Sequence, residues 1–174
     1  VLVGWRNISS MQDDSPGGIN PVDVPAMVGR AYDGTEKYRA YDWGKEESGD
    51  RWLNRVGNTM ADTRGARVII GPDGKAFAAF EFDGGNTPVR YDPFDLDVLV
   101  NIVGGDQYQT MSFTSTVPKT FVGRYDAATG EYETGQHITA RLQSGGDNTF
   151  RIESGNIALD SIGRVHLVGE TASG

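Results

Sequence analysis

Cysteine is absent from the 174 residues. Disulfide stapling, a thiolate nucleophile and cysteine-ligated zinc are therefore excluded. Histidine is scarce, with His137 and His166 the only 2. Basic charge is in deficit: 16 Lys and Arg stand against 24 Asp and Glu, for a formal charge of −8. No Lys/Arg cluster offsets it, which argues against a nucleic-acid partner, since phosphate backbones are held by basic side chains. No apolar run is long enough to span a bilayer as a helix. No G-x-S-x-G elbow occurs, and Gly104-Gly105-Asp106 is followed by neither the lysine nor the helix of a phosphate loop. Helix signatures are few. A signal-peptide pattern is missing, and the chain opens on Val1, which reads as a processed polypeptide or part of a longer one. The lack of cysteine fits a bacterial cell-envelope protein.

What is present is glycine, 24 residues of it, set between short apolar runs. That mix predicts an all-β chain of short strands and tight turns, of a length that makes one domain over 1–174. The clearest stretch is Gly155 to Gly174. Ile157-Ala158-Leu159 is an apolar run, Asp160 to Gly163 is a turn, and Val165 and Leu167 then alternate with His166 and Val168. Val68-Ile69-Ile70, Gly71-Pro72-Asp73-Gly74 and Ala76 to Phe82 repeat this form. Val1-Leu2-Val3-Gly4 matches His166 to Gly169 in part. A second hairpin recurs as well: Val28-Gly29-Arg30 to Tyr38 resembles Val122-Gly123-Arg124 to Tyr132. The pieces fall in the same order, which defines approximate repeats over 5–80 and 81–169 with a shared strand at 1–4.

Read in order, Trp5 to Val24 is a long polar loop with breakers at Pro16-Gly17-Gly18 and Asn20-Pro21. Ala26–Tyr32 and Lys37–Trp43 form a hairpin around Asp33-Gly34. Lys45 to Asp62 fits either one helical turn or a strand with a polar loop. Val89–Tyr91 and Asp97–Val103 are strands separated by Asp92-Pro93, with Leu96, Val98 and Val100 on one face. Met111-Ser112-Phe113 is a short strand. Phe121–Tyr125 and Glu131–Ile138 form a hairpin around Thr129-Gly130, and Gly145 to Asn148 is a turn.

The run Phe121-Val122-Gly123-Arg124-Tyr125-Asp126 to Gly130, followed by Gly155-Asn156-Ile157-Ala158-Leu159-Asp160 to Gly163 and Val165 to Thr171, resembles the bacterial seven-bladed β-propeller-type repeat. That family's pattern is a strand, D-x-x-G, a strand, a loop and I-A-x-D-x-x-G-x-x-Y-x-x-G-x-T. The second copy carries it well. The first departs from it, with Gly71 in place of the aspartate, Phe80 in place of the glycine and Glu81 in the stretch where the threonine is missing. Pro88 to Ser115 has no counterpart. The resemblance implies antiparallel propeller blades, about two of them, whereas a closed propeller takes roughly four to eight. The blades would then belong to an incomplete propeller, or to a larger or oligomeric one. The alternative is a β-sandwich. Both inner strands, Val68–Ile70 and Ile157–Leu159, are expected to be apolar on both faces.

The resemblance also implies an exported, periplasmic or cell-surface protein without catalytic activity. Its partners would be other protein subunits or the remainder of a longer chain, and it would act as a structural or interaction module. A different reading makes the chain a carbohydrate-binding or carbohydrate-active subunit whose site other chains complete. Trp5, Trp43 and Trp52 are its ligand-binding residues, flat platforms for sugar rings. Asp92, Asp95 and Asp97 form an oxygen-rich loop of the sort calcium takes, without the glycine and distal glutamate of an EF-hand. No other cofactor is indicated. His166 should face away from Val165 and Leu167, as a surface residue.

Overall fold

The computed structural model describes residues 1–8, 22–43, 61–84, 87–104 and 118–172, excepting the side chains of 5–8, 22 and 153–155. It is all-β, and every sheet is antiparallel. The first sheet runs β1 (Leu2–Ile8), β2 (Val22–Arg30) and β3 (Glu36–Ala40), hydrogen-bonded in that order. The central sheet has 4 strands in the order β4 (Thr63–Ile70), β5 (Lys75–Phe82), β8 (Lys119–Asp126) and β9 (Tyr132–Ile138). Between β5 and β8 lies a small hairpin, β6 (Tyr91–Asp92) and β7 (Asp95–Leu99). After β9 come the short pair β10 (Ala140–Arg141) and β11 (Asp147–Asn148), then the closing hairpin of β12 (Arg151–Leu159) and β13 (Val165–Glu170).

The turns follow from glycine placement. In the β4–β5 turn Gly71 N–H donates to the Lys75 carbonyl at 2.7 Å and Gly74 N–H to the Gly71 carbonyl at 3.1 Å. In the β12–β13 turn Asp160 N–H donates to Arg164 at 3.1 Å and Gly163 N–H to Asp160 at 3.0 Å. Gly74 and Gly163 sit at φ +73° and +80°, a region that strains any residue with a Cβ. Pairing is in the same register, with Val68 opposite Ala78 and Ile70 opposite Ala76, and Ile157 opposite Leu167 and Leu159 opposite Val165.

The two faces of the central sheet carry two cores. On one, Ala76, Ala78, Phe80, Phe82, Phe121 and Tyr125 pack against Met27, Ala40 and Tyr41 from the first sheet and its exit. Tyr41 is the knot of this junction. Its φ of +63° is in the left-handed region, its N–H donates to the Pro93 carbonyl at 3.0 Å, and its hydroxyl lies 3.0 Å from that of Tyr125. On the opposite face, Phe77 and Ala79 meet Ile152 and Ile157, with Leu159, Val165 and Leu167 packed around them. Glu81 fixes this layer, accepting a hydrogen bond from Ile152 N–H at 2.5 Å.

Glycine supports the packing by admitting rings over the backbone. A Cβ at Gly123 would lie 2.5 Å from the Tyr125 ring, and one at Gly29 would lie 2.2 Å from the Tyr38 ring. At Gly29 this is the cross-strand covering of a sheet glycine by an aromatic, since Tyr38 stands opposite it, whereas Tyr125 covers Gly123 from two residues along the same strand.

Several expectations are corrected. Trp5–Ile8 and Val22–Val24 are paired strand rather than loop. Val89 lies in a 3-10 turn over Pro88–Arg90, because Pro88 fixes the first helical position and Thr87 caps it by accepting from Val89 N–H. Leu96, Val98 and Val100 do not share one environment: Leu96 is buried while Val98 is 49% exposed, since a register shift between Tyr91 and Asp92 breaks the alternation. The turn expected at Gly145 to Asn148 lies earlier, closed by Gly145 N–H to the Leu142 carbonyl, and Asp147–Asn148 is strand. The two inner strands differ. On β4, Val68 packs against one core and Ile69 against the other, while Ile70 at the strand's end is 46% exposed. On β12, Ile157 is buried but Ala158 is exposed, because β12–β13 has a neighbouring layer on one side alone among the described residues. Met111–Phe113 and the uncertain stretch through residue 60 lie outside the described residues.

Candidate functional site

Of the three tryptophans expected to bind ligand, Trp43 is the one whose side chain falls among the described residues. Trp43 is half-buried against the core, edge-on to Tyr41 with centroids 5.6 Å apart and planes at 89°. Trp5 stands opposite Pro25 in the β1–β2 pair, with its side chain outside the described residues, as is Trp52 altogether. In the β6–β7 hairpin, Asp92 Oδ1 accepts from Phe94 N–H at 2.9 Å and Asp95 Oδ1 from Asp97 N–H at 2.8 Å. These carboxylates serve as turn-forming acceptors. Among the described residues no group of three or more His, Asp and Glu side chains is placed to hold a metal ion.

The two histidines occupy different surroundings. The His137 ring is set against Phe82 and Phe121, at 5.3 and 5.5 Å between centroids. His166 is exposed on β13, on the side away from Val165 and Leu167, and its Nε2 lies 3.2 Å from Asp160 Oδ2. Asp160 is held well below the usual carboxylate range, first by the Arg164 side chain at 2.6 Å, then by the Arg164 N–H, with His166 a smaller contribution. Its role is to tie the β12–β13 turn.

One cluster gave no signal in the sequence. Arg64 of β4 reaches Asp23 of β2 at 2.5 Å, Asp62 at 3.1 Å and Asp83 at 3.6 Å. Asp23 N–H donates to Asp62 Oδ1 at 2.8 Å. Burial pushes the Asp83 carboxyl up to about 6; Arg64 opposes the shift and Asp62 adds to it. The cluster ties the first sheet to the central one. Asp23 on β2 and Arg64 on β4 are 41 residues apart, so no short sequence spacing marks the pair.

A second ionic group borders the closing hairpin. Lys75 pairs with Glu133 and, at 3.1 Å, with Asp126; Arg124 pairs with Glu133 at 2.8 Å and with Asp73 at 3.0 Å. Beside it the closing hairpin covers the β4–β5 half of the central sheet and, among the described residues, leaves the β8–β9 half open. There a groove of about 240 Å³ is lined by Phe77, Val122, Thr134 and Gln136 on the sheet and by Val165 and Leu167 on β13. Among the described residues β13 is hydrogen-bonded to β12 alone, so its outer edge borders this groove unpaired. The edge of β9 differs: Ile102 bridges to Gly135, and Val103 N–H donates to the Gly135 carbonyl at 2.8 Å. Val168 on β13 is 67% exposed, and Ile162 in the preceding turn 73%. An unpaired strand edge beside apolar surface is a template for another strand.

No family model, curated protein or solved structure matches the chain.

Proposed function

We propose that the chain is a non-enzymatic structural and interaction module, built of stacked β units, that makes protein–protein contacts in an exported or surface assembly. The observation that supports this most is the closing hairpin. It repeats the β4–β5 hairpin in turn and register, yet one side of it and one edge stay uncovered among the described residues. The groove beside that edge is apolar and open. Surfaces of this kind mark association sites more often than sites of chemistry. The location outside the cell rests on the resemblance of the repeats to propeller blades.

On this reading the central sheet and the closing hairpin are successive blades, since the hairpin lays the equivalents of Val68 and Ala78 on the reverse face of the sheet that carries them. A sandwich arrangement is favoured at the other junction. Met27 and its counterpart Phe121 share one core there, so equivalent faces meet front to front.

The test is binding of an apolar dye combined with light scattering on a sizing column. The module reading expects dye binding by the folded chain. A compact monomer that binds no dye overturns it, as would hydrolysis of a glycan by the purified chain.

A further inference from the structure

The edge of β13 has a template within the same molecule. Arg164, just before β13, and Val165 and Leu167 of β13 occupy the places of Lys75, Ala76 and Ala78 of β5, counted from the turn glycines Gly163 and Gly74. β5 uses its second edge to hold β8, from Lys75 opposite Asp126 to Phe82 opposite Lys119. The matching edge of β13 holds no strand among the described residues.

The template fixes the side chains too. Residues directly opposite in a sheet share a face. Tyr125 stands opposite Ala76 and Gly123 opposite Ala78, with Phe121 two residues further on. A strand in that register on β13 would set its Tyr125-like and Phe121-like residues on the side of Val165 and Leu167, over Val122, Thr134 and Gln136. The groove of about 240 Å³ lies at that place and has room for an aromatic side chain. Charge agrees as well. Lys75 Nζ lies 3.1 Å from Asp126 Oδ2 at the end of β8. Arg164 stands in the position of Lys75; its Nε pairs with Asp160 at 2.6 Å and its side chain is 70% exposed, as Lys75 itself holds two carboxylates at once.

We infer that the free edge of β13 and its groove take up an extended strand of a partner protein by β-augmentation, and that this strand carries aromatic side chains at alternate positions and a carboxylate at its C-terminal end. The inference rests on the reading of the chain as an interaction module and specifies its surface and the chemistry of its partner. Main-chain hydrogen bonds supply the general affinity of such a contact, and the groove supplies its selectivity.

The probe is a synthetic peptide with the sequence of residues 118–126, labelled and titrated against the intact chain, with hydrogen exchange to locate it. The expected result is saturable binding with amides protected along β13. A peptide with Phe121→Ser and Tyr125→Ser should bind at least roughly tenfold more weakly, from the apolar burial lost. Arg164→Glu in the chain should weaken the parent peptide about threefold and favour an Asp126→Lys peptide instead, a charge exchange of the size exposed pairs give. Absence of saturable binding up to about 1 mM overturns the inference. So does binding that ignores the aromatic positions, protection confined to β5 through displacement of β8, or self-association through β13 with no peptide uptake. Each of those results leaves the dye and scattering test of the module reading standing, so the two fail separately.

Discussion

The junction between the first and central sheets rests on a pair of phenols, and removing one should cost more than removing both. Tyr41 and Tyr125 are 1% and 0% exposed, and their hydroxyls are 3.0 Å apart. Burial pushes both phenols well above their ordinary range, so each is a neutral hydroxyl at any working pH. Tyr41→Phe leaves the Tyr125 hydroxyl buried without this partner, and Tyr125→Phe does the reverse. A buried polar group stripped of its bond costs about 1–3 kcal/mol, whereas removing both partners in unchanged shape is nearly neutral. Taking about 1.5 kcal/mol for each single change and about 1 for the double, the coupling is on the order of −2 kcal/mol. Urea unfolding of the parent, both single variants and the double variant measures it, with the slope checked for constancy. Additive losses, or a double variant as unstable as the two singles summed, would refute the idea that these hydroxyls satisfy one another in a dry core.

Further outcomes follow from the same structure. Asp83 has its folded pKa raised from 3.8 to about 6 by burial. The folded state therefore holds that proton more tightly than the unfolded chain, and stability falls as pH rises from about 4 through about 6 before levelling. Asp83→Asn should remove that slope and gain on the order of 2 kcal/mol over the parent at about pH 8, read by urea unfolding across the range; a parent that strengthens more than the variant as pH rises contradicts it. Gly74→Ala and Gly163→Ala place a Cβ in the left-handed region with nothing within 4 Å of it. Each should cost about 1–2 kcal/mol from backbone strain alone, and thermal melts should show similar losses for both. Gly123→Ala drives a Cβ to 2.5 Å from the buried Tyr125 ring. It should cost about 1–3 kcal/mol through overpacking, while Gly4→Ala, with open space around it, should be within about 0.5.

Local chemistry was readable in the sequence where a turn required it. Asp33-Gly34, Pro72-Asp73-Gly74, Thr129-Gly130 and Ser161-Ile162-Gly163 each announce a glycine at positive φ, and Gly34, Gly74, Gly130 and Gly163 take it. The hairpins they close follow from the apolar runs on either side. Strand length was less readable. Trp5 to Ile8 is polar enough to pass for loop, and only its pairing with Val22–Pro25 makes it strand. The β6–β7 region was misread because a bulge between Tyr91 and Asp92 changes which side chains point inward, and a bulge leaves no compositional mark. The ionic cluster was invisible because Asp23 on β2, Arg64 on β4 and Asp83 just past β5 are far apart in the sequence. The tryptophans were singled out as flat platforms for sugar rings. Trp43 spends its ring on Tyr41 and the core, which is what large aromatics do wherever a core will take them.

Why equivalent units do not make equivalent contacts is decided by what each face carries. One side of the first sheet presents Met27, Tyr38 and Ala40, and with Tyr41 these fill the core against Phe80 and Phe121. Its other side lines an open groove with Val28, Arg30, Arg39 and Asp42. Burying the second side would strip water from charges that now pair at the surface, Arg30 and Arg39 with Glu36 and Arg39 with Asp42, a cost that apolar burial does not offset. The first sheet is thus turned with its apolar side inward, front to front with the central sheet. The closing hairpin has its bulky residues, Ile157, Leu159, Val165 and Leu167, on a single side, and that side settles on the reverse of the central sheet. Its other side carries Ala158, His166 and Val168. A small side chain, a titratable ring and one exposed valine are too little to form a core of their own, which is why the proposal of strand uptake is placed at the edge and groove of β13, unpaired among the described residues.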